Sequence, residues 1–153
     1  MLIFVCVGTG CFEVLVKEID RLKGIGAIKD DVLVQIGNGV YTPKYCRYIK
    51  YAKSLNEYYN KADLVITHGG PGSVFELLDL GKRFIAVANR ARTDMMHQVD
   101  FLGSIHKEAG ESFIYCRRIS ELGEAILATK KFKFKEYKRP EHFIDRVIIK
   151  KIK

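Results

Sequence analysis

The feature of this sequence that most constrains its fold is a regular alternation between short apolar runs and longer amphipathic segments. The first run, LIFVCVG at residues 2–8, is almost continuously apolar, as a β-strand covered on both faces should be. Five apolar side chains of the next segment, residues 11–23, fall on one helical stripe: Phe12, Leu15, Val16, Ile19 and Leu22. Strands that alternate with helices in this way predict a parallel sheet with helices on both faces.

The same alternation continues along the chain as far as residue 128. Further strands are predicted at residues 31–37, 45–51, 63–68, 83–88 and 112–116. Further helices are predicted at residues 54–62, 72–81, 94–109 and 119–128. We therefore predict one α/β, Rossmann-like domain over residues 1–128, followed by a C-terminal extension at residues 129–153.

The formal net charge of +8 is concentrated in that extension. Residues 129–153 contain ten Lys or Arg and three acidic residues, whereas residues 1–128 contain sixteen and fifteen. A nearly neutral body does not favour nucleic-acid binding. The extension begins with lysines that alternate with aromatic residues, and Pro140 is predicted to start a basic amphipathic helix. It could dock on a protein partner, lie on anionic lipid headgroups or remain a solvated helix, and single-stranded nucleic acid is a fourth alternative.

The cysteines and the N-terminus indicate an intracellular, cytoplasmic protein. The four cysteines, at positions 6, 11, 46 and 116, include no C-x-x-C pair, so neither a zinc site nor a disulfide framework is expected. No apolar run reaches the roughly 18 residues that a membrane-spanning helix needs. The N-terminus lacks the basic region and the cleavage site of a signal peptide.

The stretch ADLVITHGGPGSVFE, residues 62–76, is the strongest candidate for a functional site. A buried strand ends at His68, and the sequence GGPGS then precedes a helix. A helix N-terminus attracts anions, and glycines let an anion approach the backbone closely. The turn is therefore suited to a phosphate or a diphosphate. The alternative is purely structural: Ser73 and Glu76 have the spacing of a capping box, and His68 could serve only as a hydrogen-bonded strand end.

Two further loops are predicted at the same edge of the sheet. VGTGCF at residues 7–12 is not a dinucleotide-binding fingerprint, because Glu13 occupies the position of the third glycine. It is either a tight turn or a place where Gly8 and Thr9 leave room for a substrate. After the strand that ends at Ala88, polar residues stand near the start of a helix: Asp94, His97 and Gln98. Asp94 alone would be explained as an N-cap.

These residues resemble a known family. The block VITHGGPGSVFELLDLGKRFIAVANRARTDMMHQVDFL, residues 65–102, resembles the donor-binding, C-terminal half of the GT-B glycosyltransferases of family 28. Its most specific elements are H-G-G-x-G-S-x-x-E at residues 68–76 and H-Q at residues 97–98. The resemblance covers about residues 1–127 and is strongest to short, single-domain members, which act in the dolichol pathway and in bacterial exopolysaccharide synthesis.

The resemblance implies a role for each residue of the glycine turn. The backbone and hydroxyl groups of Gly69, Gly70, Gly72 and Ser73 would hold the diphosphate of a UDP-sugar. Glu76 would accept hydrogen bonds from the ribose hydroxyls.

The resemblance also implies which residues bind the two ends of the donor, the sugar and the uridine. Gln98, with Asp94 and His97, would bind hydroxyl groups of the sugar. Gln35 and Gly37, in the segment QIGNG, lie where the family's uridine-contacting loop begins. The one catalytic side chain implied is His68, which would donate to the leaving diphosphate.

The family's activity is inverting transfer of a sugar from a UDP-sugar, here expected to be UDP-N-acetylglucosamine, to a lipid-linked acceptor. GT-B enzymes neutralise the leaving diphosphate with helix N-termini and basic side chains, and this sequence has no D-x-D motif, so no metal or other cofactor is expected. A GT-B enzyme has two Rossmann-like domains, whereas this chain has length for one. A membrane-associated, acceptor-binding subunit would therefore supply the other domain and recruit this chain to the cytoplasmic face of the membrane.

Two features depart from the family pattern. Met95 and Met96 stand where other members carry polar residues, which leaves the identity of the sugar open. Arg90 and Arg92 could offset diphosphate charge or could be ordinary solvated residues. Two other functions stay possible from the sequence: a UDP-sugar- or nucleotide-binding subunit without a catalytic role, and a basic adaptor that binds nucleic acid.

Overall fold

The computed structural model describes residues 1–90 and 95–140 of the chain. Within them, six strands form one parallel sheet: β1 (Leu2–Cys6), β2 (Asp31–Gln35), β3 (Arg47–Ile49), β4 (Leu64–His68), β5 (Phe84–Val87) and β6 (Ile114–Cys116). Five α-helices accompany them: α1 (Glu13–Gly24), α2 (Asn56–Lys61), α3 (Pro71–Asp79), α4 (Met95–Ala109) and α5 (Leu122–Ala128). Short 3-10 turns lie at Gly110–Ser112 and Ile119–Glu121.

The strand order is β3-β2-β1-β4-β5-β6, and every neighbouring pair is parallel. β1 pairs with β2 on one side and with β4 on the other. Strands β2 and β3 are therefore added on one side of β1, and β4, β5 and β6 on the other, so the strand order reverses between β1 and β4. Parallel strands bring all their carboxyl ends to one edge, and ligands of such sheets bind where the strand order reverses. The fold confirms the predicted Rossmann-like class and identifies the edge at which a site is expected.

Both faces of the sheet are covered, which explains why its strands are almost continuously apolar. Ile3 and Val5 of β1 pack with the buried stripe of α1, and Phe4 and Cys6 pack on the opposite face with α3 and α4. Tyr59 of α2 is fully buried on that second face. At about 25 cal/mol per Å² of apolar area removed from water, this two-sided burial is the main source of stability.

The edge strand β3 is shorter than the predicted strand at residues 45–51. The backbone N–H groups of Lys44, Tyr45 and Cys46 all donate to the carboxylate of Asp20 on α1, at 2.8–3.2 Å. Because those donors are bound to a side chain, the ladder with β2 begins only at Arg47.

Residues 129–140, the described part of the predicted C-terminal extension, form neither a helix nor a strand and pack on the rest of the described chain. Arg139 forms an ion pair with Asp79 of α3 at 2.7 Å, and the N–H of Lys135 donates to the carbonyl of Glu111 at 3.0 Å. Apart from Pro140 itself, the helix predicted to start there lies outside the described residues. Among the helices that the structure describes, none is long and apolar enough to cross a membrane.

Candidate functional site

The candidate site lies at the carboxyl edge of the sheet, where the loops after β1, β2, β4 and β5 meet. The predicted residues of the first three loops come into direct contact there. The side chain of His68, at the end of β4, occupies space that opens only because its neighbours are glycines. A Cβ at Gly8 would lie 2.7 Å from the imidazole Cε1, and a Cβ at Gly70 would overlap the imidazole Nε2. Gly8 also has a positive φ of 77°, which other residues rarely adopt. His68 is thus fixed between the turns that follow β1 and β4.

The glycine turn ends directly on the N-terminus of α3. Gly70 is the N-cap residue and Pro71 is the first helical residue, as Pro prefers. The first N–H groups of a helix point out of its N-terminus, so those of Gly72 and Ser73 are directed at the carboxyl edge. Gly70 has no side chain that could cap them. Ser73 is the third residue of the helix and not its N-cap, so the capping box with Glu76 is wrong. The pattern S-x-x-E therefore needs another explanation.

Glu76 is half-buried and lies close to a polar cluster beneath the turn. The Sγ atom of Cys6 is 3.2 Å from the Thr67 hydroxyl and 3.6 Å from the Tyr59 hydroxyl. Burial raises the pKa of the Cys6 thiol, and the negative charge of Glu76 raises it further. Glu76 of α3 therefore lies near the Cys6 thiol of β1 and the Tyr59 hydroxyl of α2.

The loop after β5 joins the site through Gln98, near the start of α4. Gln98 is buried, and its Oε1 accepts a hydrogen bond from the backbone N–H of Asn89 at 3.0 Å. A Cβ at Gly69 would lie 3.2 Å from the same Oε1 atom. The Asn89 side chain donates to the carbonyl of Cys11 at 3.2 Å, which links this loop to the turn after β1. His97 is exposed, and Asp94 lies outside the described residues.

Gln35, at the end of β2, has a different position from the one that the sequence suggested. Its side chain is only 3% exposed. Its Oε1 accepts from the N–H of Val7 at 3.1 Å, and its Nε2 donates to the carbonyls of Gly8 and Lys50 at 3.0 Å each. The amide therefore braces the loops after β1 and β3 and does not face outward toward a ligand.

Gly37, in contrast, shapes the open part of the site. It has a positive φ of 61°, and a Cβ there would overlap the carbonyl oxygen of Gly10. Beside it lies a depression of about 390 Å³. The residues that line it are Ile36, Gly37, Asn38, Gly39, Val40, Thr42, Lys50 and Tyr51.

Asn38 joins this depression to the turn after β1. Its side-chain amide donates to the carbonyl of Thr9 at 3.1 Å, and its backbone N–H donates to that of Gly10 at 3.0 Å. The Tyr51 hydroxyl donates to the Asn38 side-chain oxygen. Asn38 thus connects the wall of the depression to the turn after β1.

Several residues at this edge were not predicted from the sequence to belong to the site. Asn89 could have been found, because it is the first polar residue after a buried strand. Asn38, Lys50 and Tyr51 gave no such signal, since their positions depend on how the loop after β2 folds.

Positive charge is present at the edge. Arg90 is exposed just after β5, and its Nε donates to the carbonyl of Arg117 at 3.2 Å. Lys50 lines the depression at the other end of the site. Arg92 lies outside the described residues.

A second depression, of about 460 Å³, lies at the opposite edge of the sheet beside residues 132–137. Most of its charged side chains have partners in the protein. Arg83 donates to the carbonyl of Thr129 at 2.8 Å, and Lys135 forms an ion pair with Glu111. We therefore place the candidate site at the carboxyl edge.

Comparison with known families identifies the sequence. Residues 2–152 match the sequence profile described as the glycosyltransferase family 28 C-terminal domain. The human UDP-N-acetylglucosamine transferase subunit ALG13 is 33% identical in an alignment of 134 residues that covers 80% of this chain. The mouse protein of the same name is 33% identical in an alignment of 130 residues that covers 76% of this chain. The chain spans only 12% and 11% of the lengths of these two relatives.

Solved structures share the fold at low sequence identity. The crystal structure of MurG from Acinetobacter baumannii superposes with a TM-score of 0.60 at 17% identity, covering 87% of this chain and 43% of that one. The NMR structure of ALG13 gives a TM-score of 0.58 at 16% identity, covering 97% of this chain and 93% of that one. The glycosyltransferase SnogD from Streptomyces nogalater gives 0.51 at 16% identity, covering 97% of this chain and 43% of that one. The family resemblance inferred from the sequence is confirmed.

Proposed function

The chain belongs to the glycosyltransferase family 28 C-terminal domain family, and from this premise we propose that it is the donor-binding subunit of a UDP-sugar-dependent glycosyltransferase. The observation that carries the proposal is the family match over residues 2–152. The donor that we propose is UDP-N-acetylglucosamine, because the relatives at 33% identity are named for transfer of that sugar.

The proposed donor lies along the carboxyl edge. The order of the loops supports this placement: the depression follows β2 and β3, the glycine turns follow β1 and β4, and Gln98 stands next to β5. The base would lie in the depression, the diphosphate at Gly70, Gly72 and Ser73, and the sugar at Gln98 with Asp94 and His97.

In the proposed reaction, an acceptor oxygen forms a bond to the sugar C1 while the bond from C1 to the UDP oxygen breaks. The electron pair of that bond leaves with the diphosphate. Backbone amides of the first turn of α3, His68 and the charge of Arg90 would stabilise the developing negative charge, which is the largest contribution that such a site makes. We propose that no metal or other cofactor takes part.

A partner completes the proposed enzyme. We expect a membrane-associated subunit to bind a lipid-linked acceptor and to hold this cytoplasmic chain at the membrane surface. If the acceptor is an alcohol, the partner would also supply the general base that takes its proton. An acceptor that is already an ionised phosphate needs no base.

Transfer of radiolabelled N-acetylglucosamine to lipid, measured with the chain alone, with the candidate partner alone and with both, tests this proposal. We expect product only when both chains are present. UDP binding without transfer under any acceptor condition would instead favour a non-catalytic, nucleotide-binding subunit. RNA binding without UDP binding would favour the nucleic-acid adaptor.

Glu76 provides a specific prediction. If its carboxylate accepts from the ribose hydroxyls, Glu76→Gln should weaken UDP binding about tenfold, since a hydrogen bond to a charged group contributes about 1.5–3 kcal/mol. The melting temperature should stay unchanged, because Glu76 does not cap α3.

Calorimetry with UDP and with 2′-deoxy-UDP measures this effect. The parent chain should prefer UDP, and Glu76→Gln should lose most of that preference. Asp79→Asn, on the same helix at its far end, is the matched control and should bind both nucleotides as the parent does. An unchanged preference in Glu76→Gln would remove Glu76 from the site.

A further inference from the structure

We propose that Glu13 and Asp20 of α1 are positioning residues that hold the β2–β3 loop, residues 36–46, in the shape required to accept the nucleoside end of the donor. This inference rests on the proposed function. Neither carboxylate is assigned to contact the donor. Both act through the backbone of a loop that forms one wall of the depression.

Glu13 binds the loop at its centre. Its Oε1 accepts hydrogen bonds from the backbone N–H groups of Val40 at 2.6 Å and of Tyr41 at 3.0 Å. The hydrogen bond from Tyr41 lowers the pKa of the Glu13 carboxyl most, and the one from Val40 lowers it further. Glu13 is therefore ionised at neutral pH. Glu13 stands where a dinucleotide-binding fingerprint would have its third glycine. Its side chain thus gives this turn a function that glycine cannot have.

Asp20 binds the second half of the same loop. Its two oxygens accept four hydrogen bonds, from the Tyr41 hydroxyl at 2.7 Å and from the N–H groups of Lys44, Tyr45 and Cys46 at 2.9, 2.8 and 3.2 Å. Its residue surface is only 1% exposed. Burial alone would raise its pKa, but these hydrogen bonds outweigh burial and lower it. A buried acid between Ile19 and Leu22 of the apolar stripe is otherwise costly.

Apart from these hydrogen bonds, the loop is anchored by Cys46, which is buried in the core, and by Tyr41, which packs against the core. Its contacts with the rest of the edge are concentrated at its first residues, where the N–H of Gly37 donates to Lys50 and that of Asn38 donates to Gly10. From Val40 to Cys46, the described backbone N–H groups that donate a hydrogen bond do so to Glu13 or Asp20. Val40 and Thr42 line the depression, so its shape depends on these carboxylates.

Removal of the Glu13 carboxylate should affect the binding of some ligands and not of others. Loss of Glu13 should weaken ligands that fill the depression and should leave ligands of the glycine turn unaffected. Pyrophosphate has the diphosphate without a nucleoside, whereas UDP has both the diphosphate and the nucleoside. A general loss of structure would weaken the two ligands together, whereas a loop-positioning role would weaken UDP alone.

Calorimetry on the full chain with UDP and with pyrophosphate tests this inference. Glu13→Ala should raise the dissociation constant for UDP about tenfold, with pyrophosphate affinity equal to or above that of the parent chain. Glu13→Gln keeps an acceptor oxygen and should restore UDP binding to within about threefold. Glu18→Ala is the matched control on the same helix, because within residues 1–90 and 95–140 Glu18 pairs only with Arg21. This variant should bind UDP as the parent chain does.

The outcomes separate this inference from the proposed function. If the parent chain binds UDP and Glu13→Ala binds it equally well, the positioning role is wrong and the proposed function stands. A parallel loss of UDP and pyrophosphate affinity in Glu13→Ala would also overturn it, since that would indicate general destabilisation. If the parent chain binds neither ligand, alone or in the presence of its partner, both the inference and the proposed function fail.

Discussion

Asp20→Ala is expected to lower the free energy of unfolding by about 3 kcal/mol, which is a change of more than a hundredfold in the folding equilibrium. The substitution leaves the Tyr41 hydroxyl and three backbone N–H groups without their acceptor. Buried donors that lose their partner lose the hydrogen bond and keep the cost of leaving water.

Urea unfolding followed by circular dichroism measures this effect. Tyr41→Phe removes one of the four donors and should cost about 1 kcal/mol. Glu18→Ala, also on α1, should cost less than about 0.5 kcal/mol, because an exposed helical ion pair contributes little. An Asp20→Ala chain as stable as the parent would show that the loop does not depend on this carboxylate.

The contribution of Asp20 should also depend on pH. Because its pKa is lower in the folded chain than in the unfolded one, the carboxylate stabilises the fold fully above about pH 4, the unfolded value. That stabilisation is lost as the pH falls through the folded pKa. The difference in unfolding free energy between the parent and Asp20→Asn should therefore narrow below about pH 4, and a constant difference would contradict the assignment.

The sheet, its helices and the edge at which the candidate site lies could be predicted because they follow from local patterns. Apolar runs covered on both faces specify strands, and parallel strands bring His68 and the turn after β1 to one edge. Even the glycine turn was recognisable, since Pro71 and the glycines have conformational preferences of their own.

The interactions that shape the site could not be predicted, because they join distant residues through irregular backbone. Asp20 meets partners in a loop more than twenty residues away, and no periodicity specifies that pairing. Gln35 has the sequence context of a ligand-binding residue, yet its amide is directed inward to Val7 and Lys50. The S-x-x-E spacing failed as a capping signal because the N-cap is Gly70, three residues before Ser73.

The second large expected effect is that of Gly72→Ala, which should weaken UDP binding without lowering the stability of the fold. In the structure, a Cβ at Gly72 has no heavy atom within 4 Å to meet, and alanine is favoured over glycine in a helix by about 0.4–1 kcal/mol. The fold should therefore be as stable as the parent or more so. Side chains at a helix N-terminus tilt toward that terminus, so the new methyl group would enter the space proposed for the diphosphate. Loss of one charge-assisted hydrogen bond from the backbone predicts UDP affinity lower by on the order of fiftyfold.

The most direct test of the proposed diphosphate site is titration of UDP into the parent chain and into Gly72→Ala, with the melting temperature of each recorded in the same buffer. The account predicts saturable UDP binding by the parent chain, and a Gly72→Ala chain that melts no earlier while binding UDP far more weakly. Equal UDP affinity in the two chains, or no binding by the parent chain in the presence of its partner, would contradict it.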